Sequence, residues 1–168
     1  AVRVLFNSTL ELSMRSDTGT TTFRMPFAQV VDRWYHIALT VDDASRTAIV
    51  YVDGQAIGQT AIAGPITYSA SEPFFITGGQ TIIDNFRIWN YARTTAEIRE
   101  GMDRQYTGDS RVVVDYRFDD INAFSVRDYS PAGNTGFRVV SGGAPELAPG
   151  LANSGMHPFT IGVEDGRG

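Results

Sequence analysis

The segment from Thr81 to Arg99 constrains the fold of this sequence more than any other part of it. It begins with an alternating run that predicts a β-strand ending at Asn90. Thr94-Thr-Ala-Glu97 follows and has the pattern of a capping box, which predicts a helix of two or three turns. The alternation places four residues on one face of the strand: Ile82, Asp84, Phe86 and Ile88. The segment therefore predicts an antiparallel β protein with one short helix.

Length and composition favour a single β domain. A chain of 168 residues is long enough for one core and too short for two ordinary ones. The 17 glycines and 7 prolines suit strands that are joined by tight turns. No apolar run approaches the roughly 18 residues that span a bilayer, so membrane insertion is not expected.

The charge and the absence of cysteine exclude several classes of function. A net charge of -5 argues against nucleic-acid binding, which needs a concentrated basic face. Because the sequence has no cysteine, it can form no disulfide, no thiolate metal site and no cysteine nucleophile.

Alternation and turn residues predict further strands along the chain. Residues 2–14 predict one or two strands, and residues 20–25 predict their returning partner. Residues 33–42 give the strongest pattern, with two distinct faces. Residues 47–58 predict a hairpin, because Asp53-Gly54 favours a type I′ turn. The remaining predicted strands lie at residues 74–76, at residues 112–118, near Val126 and at residues 137–140.

Two segments resemble the laminin-G-like branch of the concanavalin A-like superfamily, which includes the pentraxins. Trp34-Tyr-His-Ile-Ala-Leu-Thr-Val-Asp42, followed by Val50-Tyr-Val-Asp-Gly54, is similar to the family's pair of central strands. Ile83-Asp-Asn-Phe-Arg-Ile-Trp-Asn-Tyr-Ala-Arg-Thr-Thr-Ala-Glu-Ile98 is similar to its closing strand and helix. The resemblance implies an antiparallel jelly-roll β-sandwich over residues 1–140. Residues 141–168 show little pattern, which predicts a Gly- and Pro-rich tail or linker.

A third match stands in an unexpected place. Tyr116-Arg-Phe-Asp-Asp120 and Asp128-Tyr-Ser-Pro-Ala-Gly-Asn-Thr-Gly136 resemble the segment that usually opens such a domain, yet they follow the closing helix. Three explanations are open. The chain is part of a longer tandem array, its strands have a rearranged order, or its first strands come from another chain. We favour the tandem array, in which neighbouring domains complete the sheets.

Patterns that would indicate catalysis do not occur. The glycosidases of this superfamily carry alternating carboxylates, as Glu-x-Asp-x-x-Glu, and the sequence has no such run. His36 lies inside the strongest predicted strand, where a packed histidine is expected, and no Gly-x-Ser-x-Gly motif is present. We therefore expect no catalytic residues.

The resemblance also implies a structural calcium ion. Family members often hold one where the first and last strands meet, and calcium prefers carboxylate and carbonyl oxygens. The alternative is that Asp84 bonds to backbone amides while Asp119 and Asp120 form a turn. The candidate ligands in this sequence are Asp84, Asp119, Asp120 and Asp128.

These observations predict a non-catalytic recognition or adhesion module of a larger secreted or cell-surface protein. Its expected partners are a glycan or a surface protein, together with neighbouring domains of the same polypeptide. Aromatic rings in predicted rim loops are candidates for sugar stacking, although they equally suit a covering of the core edge: Phe27, Tyr68 and Tyr129. The alternatives are a structural spacer of a surface filament or phage fibre, and an accessory domain of a glycosidase.

Overall fold

The computed structural model describes residues 2–6, 9–28, 30, 33–66, 83–119, 125–137 and 159–163; for residues 2–6, 9, 137 and 159–163 it describes the backbone alone. This part of the chain forms eleven strands and one helix. In chain order these are β1 Val2–Phe6, β2 Thr9–Ser16, β3 Gly19–Pro26, β4 Ile37–Asp42, β5 Thr47–Val52, β6 Gln55–Ala61, β7 Phe86–Trp89, α1 Thr95–Gly101, β8 Val112–Tyr116, β9 Ser125–Val126, β10 Gly136–Phe137 and β11 Phe159–Val163.

The strands form one large sheet and two small ones. The large sheet has the order β6-β5-β4-β11-β7-β8, while β1-β2-β3 and β10-β9 make the others. All ladders are antiparallel except the two that β11 makes with β4 and β7. The predicted class of an antiparallel β protein with one short helix is confirmed.

The core lies between β2–β3 and the large sheet. Ile37, Leu39 and Val41 point from β4 to this side, and Leu39 is paired with Val50 of β5. Together with side chains of β2 and β3 they form a buried cluster that includes Leu10, Leu12, Met14 and Met25. Each such side chain contributes about 1.5–3 kcal/mol on full burial. Two apolar layers therefore meet face to face, as in a β-sandwich.

Helix α1 covers the opposite face of the large sheet, where Ile98 packs against Ala38 and Tyr51. We call this the helix face, and the face toward β2–β3 the core face. The capping box is confirmed, since Thr94 accepts a bond from the Glu97 backbone while Glu97 accepts one from Thr94. Arg99 Nε also donates to the carbonyl of Gly54 at 2.8 Å, which ties α1 to the β5–β6 turn.

The predicted type I′ turn is confirmed, because Asp53 and Gly54 both have positive φ, of 48° and 71°. This turn also corrects one boundary. The strand predicted from residue 33 begins at Ile37, because its partner β5 turns away after Val52. Before Ile37, hydrogen bonds to the Asp53 side chain take the place of pairing with β5. Asp53 Oδ1 accepts a hydrogen bond from the His36 backbone amide at 2.9 Å, and Oδ2 accepts one from Arg33 at 2.8 Å.

Two left-handed residues shorten predicted strands at the same end of the sheet. Asn85, at φ 52°, separates Asp84 from β7, so Asp84 does not lie in the strand as predicted. Phe118, at φ 60°, lies beyond the end of β8. A bulky residue such as Phe118 rarely adopts a positive φ. This conformation ends the alternation of side chains between the two faces of the strand.

Within the segment interpreted as a tail or linker, residues 159–163 form a strand. These five residues form β11 in the middle of the large sheet. The predicted strands at residues 74–76 and 138–140 lie outside the described residues. Within the described part, no helix has the length and apolar character needed to cross a membrane.

Candidate functional site

A pocket of about 170 Å³ opens on the helix face beside α1, and we call it the helix-side pocket. Residues from β7, from α1 and from the segments on either side of the helix line it. They are Trp89, Tyr91, Arg93, Glu97, Glu100, Arg104, Tyr106 and Arg111. Aromatic rings, cations and carboxylates therefore share one small cavity.

The floor of the pocket consists of aromatic rings packed edge to face. Trp89 is fully buried, and the ring of Tyr106 stands edge-on to it with centroids 4.6 Å apart. The guanidinium of Arg93 lies over the Trp89 ring at 4.2 Å and donates to the Tyr106 hydroxyl at 2.8 Å. Arg93 also donates to the carbonyl of Glu97, which joins this stack to α1.

The rim of the pocket presents both hydrogen-bond donors and acceptors. Tyr91 donates its hydroxyl to Glu97 at 3.1 Å, and burial raises the pKa of Tyr91, so the phenol keeps its proton. The bond from the Thr94 backbone lowers the pKa of Glu97, which remains a carboxylate. The exposed Arg104 pairs with Glu100 at 2.6 Å, and Arg111 pairs with Asp109 at 3.0 Å.

The lowered pKa of Glu97 argues against a role for this residue as a catalytic acid. A glycosidase needs one carboxylic acid whose pKa is raised, so that it can protonate the leaving group. Glu97 is shifted in the opposite direction because it caps the helix. The pocket is thus equipped to form hydrogen bonds and to stack, and its helix-capping carboxylate is unsuited to acid catalysis.

A buried ion network supports the pocket from below. Asp115 accepts from Arg87 Nε at 2.9 Å and from Arg117 Nε at 3.1 Å, and Asp115 and Arg87 are each 1% exposed. Arg117 donates to the Tyr106 carbonyl at 3.0 Å, and Arg87 lies 5.6 Å from the Tyr106 ring. The network therefore helps to hold Tyr106, whose ring is part of the pocket floor.

Two of the predicted calcium ligands interact electrostatically. Burial raises the pKa of Asp84, and repulsion from the negative charge of Asp119 raises it further. Asp84 also accepts from the Asn85 backbone at 3.0 Å, as the alternative interpretation expects. The left-handed Asn85 and Phe118 flank the pair. Its charge suits a cation, but two carboxylates supply only part of the six to eight oxygens that calcium prefers.

Asp128 has a different role. Its carboxylate accepts from the backbone amides of Asp115, Ser130 and Asn134 at 2.7, 2.9 and 2.7 Å, and from the Ser130 hydroxyl at 2.7 Å. It thereby holds the turn after Asp128 against β8. Asp120 lies outside the described residues. Among those described, no three His, Cys, Asp or Glu residues are grouped so as to hold a metal, and calcium binding remains a prediction.

We expect calcium, if bound at Asp84 and Asp119, to raise the melting temperature, and Asp84→Asn to remove this effect. The raised pKa gives a second readout. A carboxyl group whose pKa is raised on folding favours the folded state at low pH, and this contribution is lost as pH rises through the folded pKa. Without calcium, Asp84→Asn should therefore gain stability relative to wild type as pH rises from about 4 to about 7. A melting temperature that does not respond to calcium would remove the calcium prediction.

Two of the three predicted rim aromatics make ring contacts within the protein. Phe27 packs against the core and stands edge-on to Tyr35, with centroids 5.1 Å apart. Tyr129 stacks with two guanidinium groups, those of Arg117 at 4.2 Å and Arg127 at 4.6 Å. Tyr68 lies outside the described residues. Sequence reasoning missed the pocket, because Tyr106 reaches Trp89, and Arg111 reaches Tyr91, from an unpatterned segment after the helix.

Comparisons with known proteins agree with this architecture. Residues 2–99 match the family model described as the concanavalin A-like lectin/glucanases superfamily. The crystal structure of a Bacteroides ovatus protein, assigned provisionally as carbohydrate binding, superposes with a TM-score of 0.61 at 19% identity, over 77% of this chain and 39% of that chain. That likeness shows the fold, and this chain spans about two fifths of that protein's length.

A second solved structure is a less similar one. It is an S-layer domain-containing protein from Clostridium thermocellum, which matches at 22% identity over 59% of this chain and 54% of its own. Its TM-score of 0.36 is too low to support an argument about structure or function. No protein of curated function matches this sequence.

Proposed function

The chain belongs to the concanavalin A-like lectin/glucanases superfamily, and on that basis we propose that it is a non-catalytic module that binds carbohydrate in the helix-side pocket. We further propose that it serves recognition or adhesion within a larger extracellular protein. The B. ovatus protein of the same fold supports the ligand class, since it carries a provisional carbohydrate-binding assignment. The observation that carries the proposal is the composition of the pocket.

Sugars need this combination of groups. Each hydroxyl both donates and accepts, and the pocket offers acceptors at Glu97 and Glu100 beside donors at Arg104 and Arg111. Aromatic rings such as Tyr91 and Tyr106 supply apolar surface with a polar tip for the C–H faces of a sugar. The volume of about 170 Å³ lies below the roughly 300–1,000 Å³ of drug-sized sites, which suits a single ring.

The absence of hydrolysis is part of the proposal. Glu97 caps α1 and stays ionised, and Glu100 is an exposed carboxylate in an ion pair with Arg104. Retaining glycosidases need a second carboxyl group about 5–5.5 Å from the acid, acting as nucleophile, and an acid with a raised pKa. Because its pKa is lowered, Glu97 stays ionised and does not supply the protonated acid that this chemistry needs.

A glycan array followed by calorimetry on the bound glycan tests the proposal with a matched pair of variants. Arg104→Ala removes an exposed arginine from the pocket rim, while Arg24→Ala removes one from β3; each pairs with a glutamate at 2.6 Å. We expect Arg104→Ala to weaken binding by about tenfold, because a charged hydrogen bond is lost, and Arg24→Ala to leave it unchanged.

Three results would contradict the proposal. An array on which nothing binds would favour a spacer or assembly domain. Equal losses in the two variants would place the ligand elsewhere or make it nonspecific. Release of reducing sugar from a bound glycan would make the chain an enzyme.

A further inference from the structure

The centre of the large sheet has an unusual strand direction. Among the described strands, β11 alone is parallel to both of its neighbours, β4 on one side and β7 on the other. Strands β4 and β7 therefore run in the same direction, with the space of one strand between them. We call this space the β4–β7 slot.

A strand in the opposite direction would suit the β4–β7 slot better than β11 does. It would pair antiparallel with both β4 and β7, so that every ladder of the large sheet would be of one kind. Parallel pairs have slanted hydrogen bonds and are slightly less stable per residue than antiparallel ones. Sheets that are purely parallel or purely antiparallel are also over-represented among known folds. An antiparallel strand in the slot would therefore stabilise the sheet more than the parallel β11 does.

The register of β11 defines what the slot requires on each face. Ile161 is level with Leu39 and Ile88, whose side chains lie on the core face. The residues before and after Ile161 in β11, Thr160 and Gly162, are therefore at positions on the helix face. Thr160 is level with Ala38 and Arg87, and Gly162 is level with Thr40 and Trp89. An occupant needs apolar residues on the core face and residues compatible with Arg87 and Trp89 on the helix face.

Arg87 specifies this helix-face position further. It is 1% exposed, its Nε donates to Asp115 at 2.9 Å and its Nη2 to Asn85 at 3.3 Å. Its Nη1 is buried and has no hydrogen-bond partner among the described side chains. Asp115 also pairs with Arg117, so one carboxylate is the ion-pair partner of two guanidinium groups. A buried, incompletely paired cation beside the slot favours an acceptor with negative charge.

We propose that the β4–β7 slot accepts a strand from another polypeptide, in place of β11 and antiparallel to β4 and β7. This strand carries an acidic side chain opposite Arg87 and branched apolar residues at the alternate positions. The mode is strand addition, in which main-chain hydrogen bonds supply affinity and alternate side chains supply specificity. Glycan binding at the helix-side pocket is a separate property and does not depend on it.

Hydrogen exchange on the full chain tests this proposal with two synthetic peptides. The first has the sequence Ser-Val-Asp-Val-Ser-Val-Thr, and its control has Lys in place of Asp. We expect the first peptide to protect the amides of β4 and β7 while residues 159–163 lose protection. The control should bind at least about tenfold more weakly, because its ammonium group would be buried beside Arg87.

A backbone variant gives a second measurement. Gly162→Pro removes an amide from β11 at a position paired with Thr40 and Trp89. Proline cannot donate to a ladder, so β11 should be displaced more easily and the first peptide should bind about tenfold more tightly. The wild-type peptide measurement stands on its own if this variant does not fold.

Three outcomes would overturn the proposal. The exchange of residues 159–163 stays unchanged with either peptide, the Lys peptide binds as well as the Asp peptide, or β11 is exchanged between two copies in a concentration-dependent dimer. The last result would identify a second copy of this chain as the occupant instead.

Discussion

Asp115→Asn is expected to lower the free energy of unfolding by about 3–5 kcal/mol, because it breaks a buried ion pair from one side. Asp115 and Arg87 are each 1% exposed, and the carboxylate also pairs with Arg117 at 3.0 Å. The neutral amide leaves two guanidinium groups without the buried carboxylate that they share. Burial already lowers the pKa of Arg87, which Asp115 opposes, so removing Asp115 exposes the full desolvation cost.

The control for this prediction is the exposed ion pair between Glu100 and Arg104. Glu100→Gln removes one negative charge by the same chemical change, but both partners face solvent, and we expect a loss of no more than about 1 kcal/mol. Urea unfolding followed by circular dichroism measures both variants. Similar losses for the two would contradict the buried network.

Trp89→Ala is expected to cost about 3–5 kcal/mol, because the largest fully buried side chain leaves a cavity. Its ring also supports the stack of Arg93 at 4.2 Å and Tyr106 at 4.6 Å. The same substitution should therefore abolish glycan binding even at temperatures where the variant is folded.

Trp34→Ala is the matched comparison for Trp89→Ala. Alternation in the sequence suggests that both rings anchor the core, but Trp34 precedes β4 and is only partly buried. We expect a smaller loss than for Trp89→Ala, since part of the ring is already in contact with water. Equal urea midpoints for the two variants would contradict the placement of Trp89 at the base of the pocket.

Local signals in the sequence were sufficient for much of the fold. Asp53-Gly54 predicts its turn because two consecutive positive φ values need such residues. Thr94 and Glu97 predict the helix start because the two groups of the capping box lie three residues apart. The faces of β4 follow from strict alternation between Ile37 and Val41. In each case the deciding interaction lies within a few residues of the chain.

Features that depend on distant partners were not predictable. β11 pairs with β4 and β7, which lie at least 70 residues earlier in the chain, and its five residues follow a segment without periodicity. Asn85 and Phe118 interrupt their strands, although neither residue type demands a left-handed conformation. The helix-side pocket depends on Tyr106, which Arg93 and Arg117 hold in place through hydrogen bonds from two separate segments.

The proposed function requires that a sugar ring binds in the helix-side pocket and that it is released without being hydrolysed. Amide chemical-shift mapping during titration with the tightest glycan from the array tests this directly. We expect the largest shifts at Tyr91, Glu97, Tyr106 and Arg111, with the glycan intact at the end of the titration. Shifts confined to β2 and β3, or a shortened glycan, would contradict it.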